Sequence, residues 1–170
     1  YAELVTNADL LKSARVRLTE IQSKLDALDI LLTTKLNGAI TLESKGLIDE
    51  AIKAMGGLAA ADITTLTSYE QYFVPAVVDY VNLLVNSLFT DGELTSVSKD
   101  NVASLKDTLA QIDTYFAHIP EADHKYVTKA DAVQEMREAV AAFDDTPETG
   151  DVFPWTAIIL LGLALIAGTV

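Results

Sequence analysis

The chain has 170 residues and no cysteine, and its 25 acidic side chains outnumber 12 Lys and Arg, which gives a net charge of -13. A surface this acidic argues against nucleic-acid binding, because contacts with phosphate require Lys and Arg. The lack of cysteine excludes a disulfide framework and thiolate metal sites, and a hydrophobic content of 50% favours a folded chain.

The first predicted helix runs from about residue 7 to residue 36. Its apolar residues are alternately three and four positions apart, which is the spacing of a long helix that packs along its length on other helices. These seam residues are Leu11, Ala14, Leu18, Ile21, Leu25, Leu28 and Leu32. Thr6 or Asn7 can cap the start, and Asn37-Gly38 is a good stop signal. We interpret the helix as part of a bundle within one chain, with a dimeric coiled coil as the alternative.

The second and third predicted helices follow a short loop at 37–41. The second carries Ile48 and Ala51 on its apolar face, followed by Met55 and Leu58, and Gly56-Gly57 weakens its end. The third covers about 68–89, with Phe73, Val77, Tyr80, Leu84 and Leu88 on one face. Pro75 lacks the amide hydrogen that a helix interior needs. Either the helix kinks at Pro75 or it begins near Val74.

The fourth and fifth predicted helices cover about 98–118 and 128–143, after a turn at Thr90-Asp91-Gly92. Both repeat the three-and-four spacing of apolar residues, and no segment alternates as a strand would. The sequence therefore predicts an all-α fold of five helices without a sheet. We expect Leu18, Leu25, Leu105 and Leu109 to be buried, so that replacing any of them with Ala costs ~2 to 5 kcal/mol.

Two short internal similarities predict a repeat. Val5-Thr-Asn-Ala-Asp9 recurs as Val127-Thr-Lys-Ala-Asp131, and Glu43-Ser-Lys45 corresponds to Val97-Ser-Lys99. We interpret residues 1–145 as a helical bundle or tandem helical-hairpin repeats, with 1–36 ending an earlier unit and 37–92 and 93–145 forming two more. These units resemble the tandem helical repeats in stalks of Firmicute surface proteins.

The sequence offers few candidates for catalysis or metal binding. No nucleophile motif, phosphate-binding loop or triad can be assembled, so we expect no enzymatic activity and no cofactor. His118 and His124 flank Glu121 and Asp123, but they lack the spacing that aligns two imidazoles on a helix. We therefore interpret them as ordinary loop residues rather than a metal site.

The one concentration of aromatic side chains lies in the third predicted helix. It comprises Tyr69, Tyr72, Phe73 and Tyr80. Their helical spacing indicates core packing or a groove between helices, with a ligand site as the alternative. If the domain binds a ligand, this aromatic cluster is the candidate binding site.

The last segment, 152–170, carries no charge over nineteen residues. At about 1.5 Å rise per residue it would form a helix of roughly 28 Å, close to the ~30 Å hydrocarbon thickness of a bilayer. It therefore predicts a C-terminal transmembrane helix, with a buried core helix as the alternative. Asp144, Asp145, Glu148 and Asp151 precede it without any Lys or Arg. Since cytoplasmic flanks are enriched in Lys and Arg, we expect the body of the protein outside the cell.

The residues before this segment, 146–151, read Thr146-Pro147-Glu148-Thr149-Gly150-Asp151. Pro-x-Thr-Gly directly before an apolar segment resembles the LPXTG sorting signal of Gram-positive cell-wall proteins, with Thr146 in place of Leu. The family's Lys/Arg cluster does not follow before Val170, so we interpret the chain as a trimmed end piece of a longer secreted protein. The resemblance implies that a sortase cuts between Thr149 and Gly150 and joins the Thr149 carbonyl to peptidoglycan.

These features together predict a membrane-proximal helical spacer and sortase-dependent anchor of a surface protein, located in the cell wall. Its partners would be sortase, peptidoglycan and, before cleavage, the membrane. The alternative is an extracellular helical sensor bundle of a single-pass membrane protein, whose terminal segment stays uncut and signals inward.

Overall fold

The structure is a computed structural model that describes residues 2–144, with side chains described from residue 7 onward. The described chain is mostly helical, which confirms the predicted all-α class. Its α-helices are α1 (Ala2–Lys35), α2 (Lys45–Met55), α3 (Ala60–Ile63), α4 (Val74–Asn86), α5 (Val102–Phe116) and α6 (Ala130–Asp144). Short 3-10 turns cover Leu42–Ser44 and Glu121–Tyr126, a π-turn covers Tyr69–Phe73, and β1 (Phe89–Thr90) pairs with β2 (Glu93–Leu94).

The chain groups into two compact units, and the boundary between them falls inside α4, after Tyr80. The sequence repeat suggests other boundaries, at 36/37 and 92/93. The two divisions differ because they use different criteria. The repeat is defined by similar residues along the chain, whereas the compact units are defined by which helices contact each other.

The first unit is built on the C-terminal half of α1, which contacts α2 and the π-turn. Leu28 and Leu32 of α1 and Ile48 and Ala51 of α2 are all 0% exposed. At roughly 1.5 to 3 kcal/mol for each large aliphatic side chain, their burial is a major source of stability in this unit. The predicted apolar faces of both helices are therefore confirmed in this region.

The N-terminal half of α1 departs from the prediction. Leu11 is 71% exposed and Leu18 is 66% exposed, although both lie on the same seam as the buried Leu25 and Leu28. The prediction that Leu18 is buried is therefore wrong. The spacing of apolar residues identifies a face that can pack, but among the described residues nothing covers this half of it.

Pro75 shapes the start of α4. The amide of Val74 donates to the Tyr69 carbonyl, five residues back, which is the π-type bond of the turn Tyr69–Phe73. Pro75 has no amide hydrogen and its ring crowds the preceding turn, so a wider turn before it is favoured. Of the two alternatives, α4 begins at Val74, with Pro75 in its first turn.

The second unit contains α5 and α6, which contact each other. Leu105, Leu109 and Ile112 of α5 are buried, as are Met136 and Val140 of α6. The predicted burial of Leu105 and Leu109 is thus confirmed, with each 6% exposed.

A two-stranded hairpin stands where the sequence predicted only a turn. Phe89 pairs with Leu94 and Thr90 with Glu93. Asp91 and Gly92 have φ of 54° and 85°, which is the left-handed backbone that a two-residue hairpin turn requires and that Asp-Gly readily supplies. The prediction of no sheet is therefore wrong at this point, because strands of two residues are too short to show an alternating pattern.

Candidate functional site

The sequence-predicted sorting motif, Thr146-Pro147-Glu148-Thr149-Gly150, lies outside the described residues, as does the apolar segment 152–170. Within residues 2–144, no helix combines the length and the apolar character needed to cross a membrane. The candidate sites inside the described chain are the aromatic cluster, the two histidines and the exposed surface of α1.

The aromatic cluster is largely part of the core. Phe73 and Tyr80 are each 1% exposed, while Tyr69 and Tyr72 are half-buried. Tyr69 stacks on Phe73 with ring centroids 5.4 Å apart and planes 20° apart. The Phe73 and Tyr80 rings therefore fill the interior, where they are not accessible to a ligand. This placement agrees with the core-packing alternative for those two residues.

A polar contact fixes the π-turn that carries these rings. The Ser68 hydroxyl is buried and donates to Oδ1 of Asp29 on α1 at 2.5 Å. A hydrogen bond to a carboxylate is stronger than a neutral one. It ties the start of the π-turn to the middle of α1 and so positions Phe73 against the buried half of that helix.

The fold clearly alters the ionisation of Tyr80. Burial raises the pKa of the Tyr80 phenol above its ordinary value; Lys45 lowers it and Asp49 raises it. Lys45 and Asp49 form an ion pair at 2.6 Å on α2. A buried phenol with a raised pKa stays protonated at neutral pH.

The two histidines do not come together as metal ligands. Among the described residues, no group of three or more His, Cys, Asp and Glu side chains is arranged to hold a metal. Nε2 of His124 donates to the Ile119 carbonyl at 3.0 Å, and its ring lies 4.3 Å from that of Phe116. His124 therefore closes the loop after α5.

Sequence reasoning missed Asn82, which positions the start of α6. Its Nδ2 donates to the Tyr126 carbonyl at 3.0 Å, and its Oδ1 accepts from the Thr128 amide at 2.7 Å and the Thr128 hydroxyl at 3.0 Å. Next to it, Lys129 adopts a left-handed backbone with φ of 55°. The available signal in the sequence was that Asn82 is a polar residue between two apolar residues of α4. Its partner Thr128 belongs to the repeated Val-Thr-x-Ala-Asp sequence.

Lys129 is held by two further contacts. Its Nζ donates to Oδ1 of Asn86 at 3.0 Å and lies 4.2 Å from the centre of the Phe89 ring. A cation over an aromatic face contributes roughly 0.5 to 1 kcal/mol at an exposed site. The start of α6 is thus fixed from α4 by side chains of Asn82 and Asn86.

The N-terminal half of α1 exposes several large apolar side chains. Leu10, Leu11, Val16 and Leu18 are between 52% and 71% exposed. Four of the chain's basic residues lie along the same stretch of α1, at Lys12, Arg15, Arg17 and Lys24. At 3.6 residues per turn, Leu10, Leu11 and Leu18 share one side of the helix, whereas Val16 lies on the other side. Single exposed apolar residues are ordinary, but several on one side of a helix can mark an interaction site.

Ion pairs elsewhere lie on the surface. Lys35 pairs with Glu50 at 3.0 Å and Lys106 with Asp144 at 2.7 Å, and all four side chains are about half exposed. Exposed pairs of this kind contribute little, on the order of 0 to 1 kcal/mol.

Comparison of the chain with protein-family models, with curated proteins and with solved structures finds no match.

Proposed function

We propose that the chain is the membrane-proximal helical spacer and sortase-dependent cell-wall anchor of a secreted bacterial surface protein, with no enzymatic activity of its own. The observation that carries the proposal is the order of the last 25 residues. Pro147-Glu148-Thr149-Gly150 stands directly before an apolar segment, 152–170, that has no charge on any face. A short motif alone occurs often by chance, whereas this placement is what the anchoring reaction requires.

The proposed chemistry takes place at one amide bond. The sortase nucleophile attacks the Thr149 carbonyl, the Thr149–Gly150 bond breaks, and the segment from Gly150 onward leaves with a new amino terminus. An amine of the peptidoglycan cross-bridge then displaces the enzyme and forms a new amide with Thr149. Pro147 restricts its own φ to near -65° and favours an extended or bent peptide that an enzyme groove can hold. Gly150, without a side chain, leaves room beside the scissile carbonyl.

The apolar segment supports this chemistry as a transmembrane helix. Its length of nineteen residues fits the ~30 Å hydrocarbon core of a bilayer. Held there, it keeps the motif at the outer face of the membrane, within reach of a membrane-bound sortase. The acidic residues before it, from Asp144 to Asp151, favour the external side for the body of the protein.

The helical region supports the role of spacer. We interpret residues 1–145 as a helical bundle or as tandem helical-hairpin repeats, in which each unit leaves apolar surface for its neighbour. One feature of the described residues fits a spacer: α1 is 34 residues long, which corresponds to about 50 Å of helix.

The test is expression of the chain in a Gram-positive host, behind a secretion signal and with a Lys/Arg cluster appended after Val170. The proposal predicts that the chain is released from cells only by enzymes that digest peptidoglycan. Pro147→Ala and Gly150→Ala should abolish this linkage. Glu148→Ala is the matched control, because that position is the variable one in the motif, and it should leave anchoring intact.

The alternative outcome would assign the terminal segment a different role. If intact chain is recovered from detergent-extracted membranes, and neither the substitutions nor loss of sortase changes that, the anchoring proposal fails. The segment would then be a permanent membrane helix, as in the extracellular sensor alternative.

A further inference from the structure

Residues 5–21 of α1 can be aligned with residues 127–143, which comprise most of α6 and the three residues before it. When Val5-Thr6 is placed on Val127-Thr128, Ala8-Asp9 coincides with Ala130-Asp131, and Arg15 falls on Arg137. The same register continues along the apolar positions. Leu11, Leu18 and Ile21 stand where α6 has Val133, Val140 and Phe143.

α6 uses these positions to pack on α5. Met136 and Val140 are 0% and 6% exposed, and Val133 and Phe143 are half-buried. At the edge of this contact, Arg137 makes a two-pronged ion pair with Asp113 of α5, with Nη1 3.0 Å from Oδ2 and Nη2 on Oδ1. This geometry of a guanidinium on a carboxylate is specific as well as strong.

In α1 most of the corresponding residues are exposed, although Ile21 is half-buried. Leu11 and Leu18 are 71% and 66% exposed, and Arg15 is also exposed. Residues 7–24 carry Lys12, Arg15, Arg17 and Lys24 against Asp9 and Glu20, a net charge of +2 in a chain whose net charge is -13. The face is therefore both apolar and opposite in charge to the rest of the protein.

We infer that residues 10–21 of α1 are a docking face for an α5-like helix from a further helical unit of the same kind, and that Arg15 pairs there with a carboxylate at the position of Asp113. The inference rests on the spacer part of the proposed function, and it specifies how one unit recognises the next. The apolar residues of α1 supply the packing surface, and the ion pair of Arg15 sets the register between the two helices. The acidic character of such units supplies the charge that complements α1.

Two positions differ between the helices and define the shape of the partner. Ala14 stands where α6 has the buried Met136, and Arg17 where α6 has Ala139, which is 5% exposed. The partner helix should therefore be bulkier opposite Ala14. It should also leave space opposite Arg17, whose long aliphatic part can pack while its charge reaches solvent.

The test attaches such a unit to the full chain in detergent solution. A second copy of residues 74–126 is fused ahead of Val5, so that Tyr126 of the added copy is followed by Val5 as it is naturally followed by Val127. The added copy then contains α4 and α5 but no α6. Hydrogen exchange is measured for the amides of residues 10–21 in the fused and parent chains.

Docking predicts that exchange at 10–21 slows by about tenfold or more in the fused chain, while the already packed residues 25–36 change little. Leu18→Asp should restore the fast exchange of the parent. Asp113→Arg in the added copy should also weaken the protection, and combining it with Arg15→Asp should recover it. Recovery by charge reversal distinguishes the specific pair from general packing.

Three results would overturn the inference. One is unchanged exchange at 10–21 in the fused chain. Another is an added segment that stays unfolded beside α1. The last is a parent chain that already dimerises through α1 and becomes monomeric on Leu18→Asp, which would make a second copy the occupant. None of these experiments involves sortase, so their failure leaves the anchoring test unaffected.

Discussion

Leu18 and Leu28 lie on the same seam of one helix, but they should contribute very differently to stability. Leu28 is 0% exposed, whereas Leu18 is 66% exposed. Replacing Leu28 with Ala removes buried methyl groups and leaves a cavity, so we expect the free energy of unfolding to fall by about 2 to 5 kcal/mol. Chemical denaturation of the first unit would measure the change.

Leu18→Ala is the matched control on the same helix. Because its side chain has little burial to lose, the free energy of unfolding should change by less than about 0.5 kcal/mol. A loss at Leu18 as large as that at Leu28 would contradict the structure, since it would require a partner for this half of α1 in the isolated chain.

Tyr80 predicts a specific response to alkaline pH. Its pKa is raised by burial, so the folded state holds the phenolic proton more tightly than the unfolded chain, where the pKa is about 10. The stabilisation is complete below that value and is lost as the pH rises above it, because the unfolded phenol ionises first. Tyr80→Phe should therefore flatten the fall in melting temperature between about pH 9 and pH 11.

The control for this experiment is Tyr126→Phe, because the Tyr126 side chain is 56% exposed. This variant should keep the alkaline decrease of the parent protein. If both variants behave alike, burial of the Tyr80 phenol is not the source of the pH dependence.

Asn82 should contribute more to the stability of the second unit than Asn86, although both are on α4 and both contact the start of α6. Asn82 makes three hydrogen bonds to Tyr126 and Thr128, and a typical hydrogen bond within a folded protein contributes about 0.5 to 1.5 kcal/mol. Asn82→Ala should therefore lower the free energy of unfolding of the second unit by about 1 to 3 kcal/mol. It should also speed amide exchange at 127–131.

Asn86 provides the comparison, since its described contact is one hydrogen bond, to the exposed Lys129. Asn86→Ala should cost about 0.5 kcal/mol or less. Equal effects of the two substitutions would contradict the role of Asn82 in positioning α6.

The elements could be predicted where their signals are local and repeated. The end of α1 before Asn37-Gly38 and the end of α2 before Gly56-Gly57 follow from residues that stop helices. From the sequence, Asp91-Gly92 predicts only a turn and not a hairpin. Pro75 leaves two alternatives, a kinked helix or a helix that begins near Val74, and neither specifies a π-turn. The form of the hairpin and of the π-turn depends on two-residue pairing and on how the chain accommodates a missing amide, neither of which a periodic pattern records.

Burial was harder to predict than helicity. The seam of α1 predicted which side chains face a partner, but it could not say how far the partner extends, which is why Leu18 was assigned to the core. The network around Asn82 also escaped the sequence, because its contacts join residues more than 40 positions apart. The aromatic cluster illustrates the same point, since only the structure separates the buried Phe73 and Tyr80 from the half-buried Tyr69 and Tyr72.

The molecule as a whole combines an acidic, mostly helical body with the proposed anchoring signal. The helical class is shown by the structure, whereas the anchor is a proposal from residues 146–170. In the described helices, polar side chains connect neighbouring elements through hydrogen bonds and ion pairs. The rings of Phe73 and Tyr80 are buried. The proposed division of roles therefore gives the helices the task of spacing and the last residues the task of attachment.

The central claim is that Thr149 becomes covalently linked to peptidoglycan. The most direct measurement is the mass of the C-terminal peptide of the chain after it is released from walls by a peptidoglycan-digesting enzyme. The account predicts a peptide that ends at Thr149 and carries cross-bridge and muropeptide fragments, with Gly150 and all later residues absent. A chain that continues through Gly150 into 152–170, or one that ends elsewhere without a peptidoglycan adduct, would contradict it.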